Sequence, residues 1–67
     1  MDLVVRLGRN VRALRTASGI SQEELSFRAN MKRSYLSDLE RGTRTPTGRA
    51  LGRLAEALAV SPGRLLE

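Results

Sequence analysis

The chain has 67 residues, no cysteine, no histidine, and twelve basic residues against seven acidic ones, for a net charge of +5. A chain this short buries only about 60% of its unfolded surface, so one thin-cored domain over residues 1–67 is expected, without disulfide or zinc staples. The commonest general base and the thiol nucleophile are both missing, which argues against an enzyme, and the excess of positive charge suits a polyanionic partner.

Helical periodicity then recurs along the chain. Val4, Leu7, Val11 and Leu14 form an apolar stripe at about 100° per residue, closed by Gly19 as a C-terminal glycine. Arg6, Arg9, Arg12 and Arg15 drift around that helix, so that Arg6 faces water and Arg15 arrives at the apolar edge as a candidate for a partly buried ion pair. Ser21-Gln22-Glu23-Glu24 reads as a capping box, with Ser21 serving the amide of Glu24 and Glu24 reaching back. Ile20 and Leu25 supply the matching hydrophobic staple. This second helix carries Leu25 and Ala29 inward and ends near Asn30, a residue that tolerates the left-handed conformation of a tight turn.

A third helix is expected over Lys32 to Arg41, stopped by Gly42. Leu36 and Leu39 face the core with Tyr35 at the margin, and Glu40 lies about 40° from Leu36, also at the edge. Ser34, Ser37, Asp38 and Arg41 occupy the polar half. After a Thr43-Arg44-Thr45-Pro46 loop, Thr47 caps a fourth helix that buries Leu51, Leu54, Ala55 and Leu58, and Ser61-Pro62 opens a short fifth helix with Leu65 and Leu66. Phe27 points away from Leu25 and Ala29 and has no assigned role. No apolar run approaches the ~18 residues of a membrane span, and no secretory leader is legible, so a cytoplasmic location is expected.

Residues 21–42 are the informative unit. A short capped helix, a tight turn and a second helix with one polar face make a helix-turn-helix, whose second helix enters the major groove of DNA. Nearly the whole chain resembles the lambda-repressor and Cro (XRE) family of DNA-binding domains. The resemblance rests on Gly8-Arg9-Asn10-Val11-Arg12-Ala13-Leu14-Arg15, on Ser18-Gly19-Ile20-Ser21-Gln22-Glu23-Glu24-Leu25, and on Ser34-Tyr35-Leu36-Ser37-Asp38-Leu39-Glu40-Arg41-Gly42. Pro46 and Arg53-Leu54-Ala55-Glu56-Ala57-Leu58 extend it, while Ser26 and Asn30 stand where the family usually has Ala and Gly.

The resemblance implies an all-α, compact five-helix fold and sequence-specific binding of double-stranded DNA by a transcription regulator, as a homodimer on a palindrome. Lys32, Arg33, Ser34, Ser37 and Asp38 are the expected base contacts, with Arg33 suited to a guanine. Asp38 has three readings open: an acceptor for cytosine, a positioning group for Arg33, and an ordinary surface acid. Gln22, Tyr35, Arg41, Thr43 and Arg44 are the expected phosphate contacts; for Tyr35, closing the core is an equal alternative. Arg15 and Glu40 are expected to pair as a brace between the first and third helices. Leu58, Val60, Leu65 and Leu66 form either a dimer surface or the end of the core. Controller protein of a restriction-modification operon, simple repressor, antitoxin, and DNA-binding part of a longer regulator all share these features, and a protein-interaction module of the same fold is the rival class. No cofactor, metal or small-molecule ligand is inferred.

Overall fold

A computed structural model describes residues 2–67. Five helices follow in order: α1 (Leu3–Ala17), α2 (Gln22–Arg28), α3 (Arg33–Glu40), α4 (Gly48–Ala57) and α5 (Pro62–Leu65). Helix α3 packs against both α1 and α2, and α4 against α5, within principal extents of 28 × 22 × 21 Å. No helix among the described residues is long and apolar enough to cross a membrane.

Side-chain oxygens start three of these helices. Asp2 accepts from the amide of Val4 at 2.7 Å, Ser21 from Glu24 at 3.0 Å and Thr47 from Ala50 at 3.1 Å. Such caps satisfy donors that have no partner inside the helix, and each contributes about 1 kcal/mol. The capping box at Ser21 is only half made: the Glu24 carboxylate accepts from Arg28 at 2.7 Å, one turn on, instead of returning to Ser21. That pair is about half exposed on both sides, and a charged partner at helical spacing outcompetes the neutral amide.

The first four helices end alike. In each, the second residue past the helix cap bonds back to a carbonyl five positions earlier: Ile20 to Arg15, Met31 to Ser26, Thr43 to Asp38 and Val60 to Ala55. This Schellman closure needs one left-handed residue, supplied by Gly19 (φ 72°), Asn30 (φ 55°), Gly42 (φ 78°) and Ala59 (φ 59°). Nothing in the sequence around Ala59 signals the fourth. Alanine reaches this conformation at a cost of about 1–2 kcal/mol, offset here by the two closing bonds and by the burial of Leu65 in the returning chain.

Leu25, Leu36, Leu39, Leu54, Leu65 and Val11 form a fully buried centre, each leucine contributing roughly 2 kcal/mol by leaving water. In α4 the buried small residues are Ala50 and Ala55, while Leu51 is half-buried. Leu58 and Leu65, candidates for a dimer surface on sequence grounds, belong to this core. The reversal at Ala59 folds α5 back on the body, where Asn10 Nδ2 donates to the carbonyl of Leu65 at 2.8 Å. Of that group only Leu66, 38% exposed, and half-buried Val60 reach the surface.

The core is held in register by a polar junction. Glu40 is buried at the end of α3, its side chain 3% exposed. Its Oε2 accepts from Arg15 Nε at 2.7 Å, and its Oε1 from Arg15 Nη2 at 3.1 Å and from Gln22 Nε2 at 3.0 Å. Arg15 also donates to the carbonyl of Ile20 at 2.9 Å. One carboxylate thus ties α1, the start of α2 and the end of α3. The hydrogen bonds from Arg15 to Glu40, together with the nearby negative charge, raise the guanidinium pKa, burial acting in the opposite sense.

Gly8 allows α1 to approach α3 closely. A Cβ there would run into the Leu39 carbonyl oxygen and reach 3.0 Å from that of Glu40, both backbone atoms. Gly8→Ala is therefore expected to destabilise by about 1–3 kcal/mol, whereas Gly52→Ala, on an open face of α4, should stabilise by about 0.5–1 kcal/mol. Thermal unfolding measures both, at about 4–8 °C per kcal/mol for a chain of this size; an unchanged midpoint for Gly8→Ala would contradict the close approach. Arg15→Ala strands a buried carboxylate and should cost on the order of 3 kcal/mol, against less than about 0.5 kcal/mol for Arg28→Ala in its exposed pair. Equal effects of the two would contradict the distinction.

Candidate nucleic-acid interface

The Schellman turn at Asn30 sends the chain into α3 almost at once, and Lys32 serves as N-cap residue without a side-chain cap bond. Lys32, Arg33 and Ser34 are exposed at the start of α3, while Ser37 and Asp38 are partly covered further along it. Spacing places Arg33 with Ser37, and Ser34 with Asp38, on shared faces of the helix. Leu36, Leu39 and Glu40 fix the opposite side inside the protein. A rigid helix therefore presents two adjoining rows of polar side chains to solvent.

The other expected phosphate contacts flank these rows. Arg41 and Thr43 are exposed just beyond α3, and Arg44 follows in the loop. The Thr43 hydroxyl and its amide both donate to the Asp38 carbonyl at 3.0 Å, so the loop leaves α3 in a defined direction. The Arg44 guanidinium lies over the Tyr35 ring, 4.9 Å from its centroid. The Tyr35 hydroxyl accepts from the Thr47 amide at 3.3 Å, which leaves its own hydrogen free to donate.

Gln22 sits at the first turn of α2, partly buried, with one amide hydrogen committed to Glu40. Its second amide hydrogen stays available. Arg15 and Glu40 lie behind the surface rather than on it, with side chains 13% and 3% exposed.

A surface groove of about 520 Å³ runs between the start of α3 and α4, lined by Lys32, Tyr35, Arg44, Thr47 and Arg53 among others. It brings three cationic side chains together from three segments of the chain. Nothing in the sequence brings Arg53 beside Lys32 and Arg44; their meeting is a product of how α4 packs. Phe27, 81% exposed on α2, lies beside a second, shallower groove with Asn30, Met31 and Lys32.

Comparison with known proteins gives a consistent answer. The helix-turn-helix family matches residues 11–65. An uncharacterized HTH-type transcriptional regulator of Sinorhizobium fredii is 46% identical over 61 residues, covering 91% of this chain and 79% of that protein. The crystal structure of the restriction-modification controller protein C.AhdI from Aeromonas hydrophila superposes with a TM-score of 0.90 at 42% identity, covering 92% of this chain and 94% of that one. The controller protein C.Esp1396I, solved as a tetramer in complex with its natural 35 base-pair operator, superposes with a TM-score of 0.84 at 30% identity over 91% of this chain and 80% of that one. The chain belongs to the helix-turn-helix family of transcriptional regulators.

Proposed function

We propose that this protein is a sequence-specific transcription regulator of the controller type, which reads duplex DNA as a homodimer through α3. The observation that carries the reading is a recognition helix locked from behind by a buried carboxylate while its outer rows present Lys32, Arg33, Ser34 and Ser37 to solvent. Similarity to controller proteins supports that subtype over an antitoxin. The site of action is the cytoplasm, where the DNA is, and the 67 residues work as one domain.

The roles divide by chemistry. Arg33 bonds the O6 and N7 acceptors of a guanine together, a pairing that the forked guanidinium suits. Lys32, Ser34 and Ser37 make the neighbouring base-edge contacts. Arg41, Thr43, Arg44, the Tyr35 hydroxyl and the remaining amide hydrogen of Gln22 hold phosphates, which fix orientation without reading sequence. A two-fold dimer sets its two recognition helices about 34 Å apart, one turn of DNA. Leu66 and Val60 offer apolar area for the partner, and Leu58 and Leu65 act from beneath by holding α5 in place.

Selection of genomic fragments with the purified protein tests the reading. A short palindrome with half-sites about one turn apart is expected; uniform, steeply salt-dependent capture of every fragment would contradict it. On the selected sequence, Arg33→Ala should cost about 1–3 kcal/mol and relax preference at one base pair per half-site. Equal weakening on all DNA would instead make Arg33 a phosphate contact.

A further inference from the structure

Asp38 is the acidic side chain on the solvent side of α3, among Lys32, Arg33, Arg41 and Arg44. It does not lie free. One carboxylate oxygen accepts from Arg41 Nη2, three residues on, and the other lies 3.8 Å from Arg44 Nη2. The carbonyl of the same residue holds both donors of Thr43, which brings the loop and Arg44 back to the carboxylate. Tyr35 closes the other side of Arg44. Both arginines expected to clamp DNA phosphates are thus engaged by a carboxylate on their own protein.

Stability does not account for the arrangement. The side chains of Asp38, Arg41 and Arg44 are 32%, 65% and 48% exposed, and ion pairs in such high-dielectric surroundings contribute little. The same charges matter more to a polyanion. A carboxylate with two arginines at its oxygens presents to them much the same acceptors as a backbone phosphate, and it must be displaced before they turn to DNA. Each phosphate neutralised by a free cation releases counterions and strengthens binding to any sequence alike. A carboxylate that holds two of those cations weakens that common component. The cost falls on every duplex alike; base-edge contacts leave the operator bound in spite of it, whereas other DNA, held through phosphates alone, is released more readily.

We propose that Asp38 competes with DNA phosphates for Arg41 and Arg44, and so lowers the phosphate-driven component of affinity that operator and non-operator DNA share. The proposal rests on the DNA-binding reading of α3. It also assigns Asp38 a role other than accepting a hydrogen bond from cytosine.

The test compares the 67-residue protein with Asp38→Asn, a near-isosteric change, on the selected operator and on a random-sequence duplex of equal length, over about 50–200 mM salt. Asp38→Asn should bind the random duplex about three- to tenfold more tightly, with a salt dependence steeper by about one to two counterions. The operator should gain by a similar factor, so the ratio of the two affinities stays nearly unchanged. Placed in an Arg41→Gln, Arg44→Gln background, Asp38→Asn should change random-duplex affinity by less than about twofold. A gain that persists without the arginines would show plain charge removal and overturn the competition. Unchanged random-duplex binding by Asp38→Asn overturns it too. So does a loss confined to the operator with relaxed preference at one base pair, which would make Asp38 a base reader. If the unsubstituted protein binds no duplex at all, the DNA-binding reading fails and this one with it, whereas operator binding by an Asp38→Asn protein indistinguishable from the parent on both duplexes removes this one alone.

Discussion

A buried carboxylate in so small a protein demands that its oxygens be filled, because nearby water cannot do it and an unpaired charge inside costs several kcal/mol. Glu40 meets that demand with two hydrogen bonds from Arg15 and one from Gln22. Each partner comes from a different helix, so the requirement becomes geometric: α1, the start of α2 and the end of α3 can satisfy Glu40 only in one relative placement. The close approach at Gly8 brings the α1 and α3 backbones together beside the same point. Leucine packing supplies most of the stabilisation here, but apolar contacts tolerate sliding, and directional hydrogen bonds do not.

The consequence reaches the surface. Since Glu40 is the last residue of α3, fixing it fixes the axial rotation of that helix and therefore which side chains face outward. Gln22 is held by the same carboxylate, so the first turn of α2 and the outer rows of α3 move as one body. The distribution of charge obeys a different rule. The buried pair organises the fold, whereas the exposed pairs of Asp38 with Arg41 and Arg44 add little stability and act on the field that an approaching polyanion meets.

Much of this is legible in the sequence because it depends on local chemistry. The caps at Ser21 and Thr47, the left-handed Asn30 and Gly42, and the apolar stripes of α1 and α3 all come from residue type and helical period. The wheel positions of Arg15 and Glu40 put both at core edges, and the family resemblance pairs them across the first and third helices, so the brace can be expected before any tertiary structure is known. The sequence is silent where long-range packing decides. Glu24 has two bonding options within one turn, and only the folded helix shows that it takes Arg28. Ala59 carries no signal for a left-handed turn, so the reversal that buries Leu58 and Leu65 is invisible, and exposed and buried readings of those leucines stand equal until the structure decides. The meeting of Arg53 with Lys32 and Arg44 likewise needs the angle of α4.

If Glu40 sets the orientation of the reading surface and not merely the cohesion of the fold, stability and recognition should respond to it together. The direct measurement is operator affinity of Glu40→Gln relative to the parent, at a temperature where circular dichroism shows both fully helical. The account predicts binding at least about tenfold weaker, a loss of roughly 1.4 kcal/mol, although residue 40 is buried away from the solvent-facing rows of α3. Unchanged affinity in a variant of lowered melting temperature would contradict it, because the helices would then keep their placement without the buried carboxylate.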